Sequence, residues 1–320
     1  MRLMSIFSLQ SFLGGKKSLA LAIYLSFFII IISGCEFTGE VIEIDSYAVD
    51  DGSIKVYFCP QDNCSAVLVD FIMEADSVDC AFYDLELEKV IEALDLKRAR
   101  VIGNERERWG IMHNKFCVTD CKVITGSFNP TYNGNYKNNN NLLVIDSRLI
   151  ANNYKAEFEE MWNGVFGKGN KVLIPEIDIG FKVENYFCPE DNCAYEIIEE
   201  INKAEKSIYF MTFSFTHDNI ADSLALALSN GVEVKGIIES SGETKYSKFD
   251  FLEFQGVDII KDSNKGKMHH KVFIIDNRTV ITGSMNPTAS GDERNDENIL
   301  VIHSEEIASR YLEEFEKIYK

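Results

Sequence analysis

One pattern occurs twice in this chain of 320 residues and constrains its fold more than any other feature. His-x-Lys-x4-Asp followed by Gly-Ser-x-Asn reads His113, Lys115, Asp120, Gly126, Ser127, Asn129 in the first copy. It reads His269, Lys271, Asp276, Gly283, Ser284, Asn286 in the second. The histidines are 156 residues apart and the asparagines 157. Neighbouring segments repeat too: Tyr57-Phe58-Cys59-Pro60 returns as Tyr186-Phe187-Cys188-Pro189, at an offset of 129. The closing helices expected over 150–162 and 307–319 return at 157, Tyr154 matching Tyr311 and Phe158 matching Phe315. Self-similarity of this kind predicts two copies of one supersecondary unit. The change of offset places a gap of about 27 residues in the first half, between Leu94 and the first motif. The first lobe is therefore expected to be smaller, lacking a helix–strand portion.

The second half has the clearer periodicity. A helix is predicted over 194–204 and an aromatic, β-branched strand over 207–215. Asp218 or Asn219 can cap a helix running to Leu228, which Asn230-Gly231 ends. Strands follow at 232–238, 271–275, 279–282 and 299–302. Strands alternating with helices predict an α/β lobe with helices on both sheet faces. The expected division is a leader at 1–34, a linker at 36–55, a first lobe at 56–165, a connector at 166–184 and a second lobe at 185–320.

Residues i and i+2 of a strand point to one face, so His113 projects with Lys115 and His269 with Lys271. Asp120 and Asp276 fall at the far strand ends. The turns at Gly126-Ser127 and Gly283-Ser284 bring Asn129 and Asn286 back, and glycine lets backbone approach an anion closely. Lysine neutralises phosphate oxygens, and asparagine and serine donate to them. Two histidines, two lysines and two asparagines are what attacking and holding one phosphodiester requires. A lone histidine on a strand is more often structural, and Gly-Ser alone is an ordinary turn. The doubled constellation carries the reading. His217, His270 and His303 lie outside it and read as structural or exposed.

The doubled motif resembles the signature of the phospholipase D superfamily, over about residues 55–320. The resemblance implies an α/β fold of two similar α/β/α sandwich lobes sharing one active site at their interface. It implies a covalent mechanism with no metal and no cofactor, in which one histidine attacks phosphorus and the other serves as general acid and base. Lys115, Lys271, Asn129 and Asn286, with Ser127 and Ser284, would hold the phosphate, and Asp120 and Asp276 look structural. The chain departs from the family pattern in one place. The second lobe carries Glu297, and a glutamate here typically bonds a motif histidine, whereas the first lobe carries Asn140. A carboxylate partner favours a protonated imidazole and an amide fixes a neutral one. With Glu297 serving His269 and Asn140 serving His113, His269 would be the acid and His113 the nucleophile. The first copy also has five residues between Asp120 and Gly126 where the second has six.

The N-terminus reads separately. Arg2, Lys16 and Lys17 precede an apolar run over 19–32 that ends Ile32-Ser33-Gly34-Cys35. This is the pattern of an export signal, and the run is shorter than the roughly 20 residues that span a bilayer comfortably. Its ending resembles a lipobox, with Cys35 the lipidated residue; an uncleaved signal anchor is the alternative. Either places the rest of the chain on the outer face of the cytoplasmic membrane. Cys59 with Cys64 and Cys188 with Cys193 are each spaced for a small disulfide loop, consistent with export; a zinc site is the alternative. The pairing of Cys80, Cys117 and Cys121 is open.

The net charge is −19, which repels nucleic acid at long range. Lys97, Arg98, Arg100, Arg106 and Arg108 precede the first motif, and Lys261, Lys265 and Lys267 the second. They suggest a phosphate-attracting rim; the alternative is solvated charge. The leading expectation is a phosphodiesterase acting on phospholipid head groups, anchored by its N-terminus and needing no protein partner. An endonuclease of the same superfamily comes next, and a phosphatidyl transferase such as a cardiolipin synthase third. A non-catalytic anion-binding envelope protein is the alternative of another class.

Overall fold

The protein is described by a computed structural model over residues 48–104, 110–242 and 244–320. The lipobox and the rest of the leader lie outside these residues, as do Arg106 and Arg108. Residues 47–320 form one compact unit.

The first lobe holds β1 (Ala48–Val49), β2 (Ser53–Cys59), α1 (Cys64–Glu74), β3 (Asp79–Phe82), α2 (Glu88–Lys97), β4 (Arg100–Ile102), β5 (Lys115–Val118), β6 (Lys122–Gly126), α3 (Tyr132–Tyr136), β7 (Asn140–Asp146) and α4 (Arg148–Trp162). The second holds β8 (Glu176–Asp178), β9 (Lys182–Cys188), α5 (Cys193–Asn202), β10 (Ser207–Thr212), α6 (Asp218–Ser229), β11 (Glu233–Ile238), α7 (Phe249–Phe254), β12 (Asp258–Lys261), β13 (Lys271–Ile275), β14 (Thr279–Gly283), α8 (Ala289–Glu293), β15 (Glu297–His303) and α9 (Glu305–Ile318). One sheet has the order β2-β7-β6-β5-β3-β4 and the other β1-β8-β9-β15-β14-β13-β10-β11-β12. The shared order is the repeat made visible. The second lobe adds α7 and β12 between β11 and the motif strand, which is the portion expected to be missing from the first.

Three boundaries differ from expectation. The linker and the connector are not plain loops: β1 pairs with β8 in parallel, so the first lobe's leading segment completes the second lobe's sheet. The second lobe's first strand begins at Lys182, inside the expected connector. Helix α6 is capped by His217, whose Nδ1 accepts from the Ile220 amide at 3.4 Å, so the capping residue precedes Asp218.

Alternation along the strands explains the layering. Val56 and Phe58 face one way and Tyr57 and Cys59 the other. On β13, Val272 and Ile274 face one way and Phe273 and Ile275 the other. The inner faces of both sheets close on α4 and α9, so Tyr154, Phe158, Tyr311 and Phe315 share one buried cluster with strands of both lobes. The outer faces pack on α1 and α2 in one lobe and on α5, α6 and α7 in the other. Burying the apolar stripe of each closing helix between two sheets fixes the lobes against each other. Serine caps start both closing helices: Ser147 accepts from Ile150 and Ser304 from Ile307.

Disulfides join Cys59 to Cys64, Cys188 to Cys193, and Cys80 on β3 to Cys117 on β5. The repeated pairs close separate loops, one in each lobe, as the spacing suggested. Among the described residues Cys121 has no disulfide partner. No helix among them is long and apolar enough to cross a membrane.

Gly283 has φ +153°, and a Cβ there would stand 2.2 Å from the Asn298 carbonyl oxygen. Gly126 repeats this with φ +142° against Asn141. Gly283→Ala is expected to lower unfolding free energy by more than about 2 kcal/mol, since backbone must move away on both sides. Chemical denaturation checks this, and a loss within error of zero would contradict it.

Candidate active site

Each motif strand begins at its lysine. His113 and His269 therefore lie just before β5 and β13, one residue outside the ladder by which sequence reasoning had extended those strands. The edge they leave is used by the other lobe. The His113 amide donates to the Asp296 carbonyl at 3.0 Å, and the Asp296 amide to Ile111 at 3.1 Å. Reciprocally, the His269 amide donates to Asn139 at 2.9 Å, and the Asn139 amide to Lys267 at 2.9 Å. Two short parallel bridges, Met112 with Asp296 and Asn139 with Met268, thus stitch each histidine's backbone to the opposite lobe.

The side chains follow. Nδ1 of His113 lies 2.8 Å from both carboxylate oxygens of Glu297. Nδ1 of His269 lies 2.8 Å from Asn140 Oδ1 and 3.0 Å from the Ser127 carbonyl. This reverses the expected pairing: Glu297 holds His113 and Asn140 holds His269. The reason is the crossed backbone register, which aims each partner strand, β7 or β15, at the other lobe's histidine. Sequence reasoning had assumed that each lobe completes its own.

Behind the pairs lies a buried polar layer of the same symmetry. Ser284 Oγ donates to Glu297 Oε2 at 2.6 Å and accepts from the Asn298 amide. Ser127 Oγ lies 3.4 Å from Asn140 Oδ1 and accepts from the Asn141 amide. Both serines are fully buried and do not line the cavity. Their expected contact with phosphate is thus corrected: they fix the residues that fix the histidines. Asn298 donates to Asn114 at 2.7 Å and accepts from Thr125 and Tyr154. Asn141 donates to Thr282 at 2.7 Å.

One cavity of about 360 Å³ opens at the seam. Tyr83, His113 and Asn129 line it from the first lobe, and Phe213, His269 and Asn286 from the second. With each Nδ1 engaged, Nε2 is the ring nitrogen left to the cavity. Asn129 Oδ1 and Asn286 Oδ1 are buried without a partner among the described residues, so both amides retain bonding capacity for a ligand. Lys115 and Lys271 lie directly behind. Each ammonium donates to the carbonyl of its own lobe's histidine and faces an aromatic ring, Tyr83 at 5.3 Å and Phe213 at 5.5 Å.

The electrostatics are those of a site built for an anion. Burial lowers Lys115 to about 8, while Glu297 and Asp84 pull it upward. Burial, with the charge of Lys115, holds Lys271 well below the ordinary lysine range. His113 is depressed by burial and by both lysines. His269 is depressed by burial, by both lysines and by His113. Burial pushes Glu297 up to about 8, against the pull of Lys115, Ser284 and Lys271. The donors aimed at its oxygens from Ser284, Asn295 and His113 are those that suit a carboxylate beside an Nδ1–H. A phosphodiester anion at the cavity floor would reverse the depression of the histidines, because opposite charge favours the protonated ring.

The remaining motif residues lie elsewhere. Asp120 is exposed and paired with Lys155, outside the cavity. Asp276 accepts three amides, from Glu205, Lys206 and Ser207, and anchors the approach to β10. Neither reaches the histidines, so both are structural. Of the basic residues preceding the motifs, only Lys267 lines the cavity. Arg100 is bound to Asp79 and Glu159, Lys97 donates to the Ala75 carbonyl, and Lys261 lies over Phe249. His217, His270 and His303 are structural: His270 is buried near Glu314, and His303 lies between Thr279 and Glu184. Sequence reasoning missed the roles of Tyr83 and Phe213, although the aromatic ends of the preceding strands were a signal.

The family model described as "Cardiolipin synthase, PLD-like domain" matches residues 61–162 and 197–319, one stretch in each lobe. The chain belongs to the phospholipase D superfamily. A phospholipase D of Rickettsia conorii is 38% identical over 133 residues, which is 41% of this chain and 66% of that one. The chain thus spans just under two thirds of that relative's length. The superfamily structure of Nuc from Salmonella typhimurium is 33% identical, covering 43% of this chain and 93% of its own, with a TM-score of 0.41. A phosphatidylserine synthase from Haemophilus influenzae shares the fold, with a TM-score of 0.64 over 82% of this chain and 85% of its own at 13% identity.

Asn140→Asp sets a carboxylate against His269 Nδ1 and is expected to raise the pKa of that histidine, leaving His113 nearly unmoved. Titration of the ring signals by NMR checks this; an upward move of His113 instead would contradict the crossed pairing.

Proposed function

We propose that the protein is a phosphodiesterase of the phospholipase D type that hydrolyses phospholipid head-group esters through a phosphohistidine. The observation that carries the reading is the pair of cavity-lining histidines, one from each lobe, with both Nδ1 atoms engaged and a buried lysine behind each. In the first step His113 Nε2 attacks phosphorus and the ester P–O bond breaks, while His269 gives its Nε2 proton to the departing oxygen. In the second, His269 takes a proton from water, the water oxygen attacks phosphorus, and the P–N bond breaks. Lys115, Lys271, Asn129 and Asn286 offset the charge on the non-bridging oxygens. Each role is then filled by a side chain of this chain, and none is assigned to a metal.

The division of labour rests on the crossed pairing. Phosphorylated at Nε2 with Nδ1 protonated, His113 is cationic, and Glu297 beside that proton stabilises it. Asn140 holds His269 by a neutral carbonyl, so this ring releases its proton readily once the substrate anion has raised its affinity. His113 is thus retained as nucleophile and His269 as acid, for a reason opposite to that drawn from sequence. A bilayer substrate fits an export signal and lipidation at Cys35, and three disulfides suit an oxidising envelope compartment.

Acid-quenched mass spectrometry of protein mixed with short-chain phospholipid should find the added mass on the peptide bearing His113; a label on His269 would overturn the assignment. His113→Ala and His269→Ala should each lower turnover on the order of 10³-fold. Parallel incubation with single-stranded DNA separates the lipid reading from an endonuclease. Absence of turnover on any phosphodiester by the folded protein would sink the enzyme. Lys115 must be charged to hold phosphate, and its pKa is lowered to about 8. Since the cation exists below that value, kcat/KM is expected to fall as pH rises through about 8. A flat profile to pH 10, about the ordinary lysine range, would contradict it.

A further inference from the structure

The two lobes do not line the cavity alike. The residue after β3 is Tyr83 and the residue after β10 is Phe213, and both strands meet their motif lysines in register, Phe82 with Lys115 and Thr212 with Lys271. Counting on from these matched positions, the first lobe carries Asp84 and Glu86 where the second carries Ser214 and Thr216. Asp84 and Glu86 both line the active-site cavity. Both are exposed, and neither carboxylate is hydrogen-bonded or ion-paired among the described residues. Asp84 is near enough for its charge to act on Lys115. The first-lobe wall is thus acidic and carries the Tyr83 ring. The opposite wall carries the only cation on the rim among the described residues, Lys267 over the Phe213 ring at 5.3 Å. Below both lie the two motif lysines.

Resting on the phosphodiesterase reading, we infer that Asp84 and Glu86, with the ring of Tyr83, form a subsite for an ammonium group carried by the substrate, so that the preferred phosphodiester is zwitterionic. Three features point the same way. Two carboxylates at a mouth whose floor must hold a phosphate anion repel a second phosphate, as in a polynucleotide, but attract a cation tethered a few atoms from the first. An aromatic face beside them suits an ammonium or quaternary ammonium group. The equivalent second-lobe positions are neutral hydroxyls, so the repeat does not impose carboxylates here. The ligand class is therefore an ethanolamine- or choline-type phosphodiester rather than a glycerol-type one.

The test compares short-chain phosphatidylethanolamine, phosphatidylcholine and phosphatidylglycerol in identical mixed micelles, with single-stranded DNA in parallel. Wild-type protein should favour the two ammonium-bearing lipids over phosphatidylglycerol by about tenfold or more in kcat/KM. Asp84→Asn combined with Glu86→Gln should abolish that preference mainly through KM and raise relative activity on phosphatidylglycerol and DNA. Both residues are exposed, so an unchanged thermal midpoint shows that the variant folds. An equal or inverted preference in the wild type, or a preference untouched in the variant, overturns the subsite. Wild-type turnover of bis(p-nitrophenyl) phosphate, which carries no ammonium, separates the two failures. If that diester is cleaved and no head-group preference exists, only the subsite fails; if it and the lipids are all untouched, the phosphodiesterase reading fails with it.

Discussion

Everything in this molecule's site depends on one reciprocal contact. Each motif histidine is gripped by the opposite lobe, at its backbone amide and at Nδ1. A histidine at the open end of a strand has neither rotamer nor tautomer fixed by its own lobe. The crossed strands β7 and β15 supply both. They are held in turn by buried Ser127 and Ser284 and by an asparagine–threonine–tyrosine layer joining the sheets. Buried polar networks of this kind stabilise only when fully satisfied, so they also select a single arrangement of the lobes. The shared core around α4 and α9 brings the sheets together, and the polar layer sets their register.

Symmetry holds the histidines, and a departure from symmetry makes them differ. A carboxylate and a carboxamide have nearly the same shape, so Glu297 and Asn140 occupy matched places without disturbing the geometry. Their charges differ by one. In a site where burial and two lysines already disfavour cationic imidazole, that unit decides which ring can bear a lasting positive charge and which releases a proton. The same logic extends to the mouth, where Asp84 and Glu86 face neutral positions across the repeat. An ancestral pair of equal halves is enough to bind phosphate, and single-residue differences between the halves then give direction to the reaction and selectivity to the entrance.

Much of this was legible in the chain. The repeat offsets located the missing helix–strand portion, because a deletion between two periodic segments leaves a mark that tertiary contacts cannot hide. The motif residues His113, Lys115, Asn129, His269, Lys271 and Asn286 were legible because chemistry restricts their identity and spacing. What could not be read were relations across the seam. Glu297 and Asn140 were recognised as histidine partners, but the histidine each serves depends on how β7 and β15 cross, which no local pattern encodes. Ser127 and Ser284 looked like phosphate donors since a Gly-Ser turn is compatible with either role; burial decided against it. The basic residues before the first motif looked like a rim, yet Arg100 is bound to Asp79, Glu159 and the ring of Phe158. Charge along a sequence does not say which way a side chain turns.

The crossed grip is tested most directly by recording the imidazole nitrogen resonances of both histidines in wild type and in Glu297→Gln. The account predicts that removing this second-lobe carboxylate shifts Nδ1 of first-lobe His113 and leaves His269 close to its original position. A shift confined to His269 would show that each lobe completes its own histidine and would contradict the account.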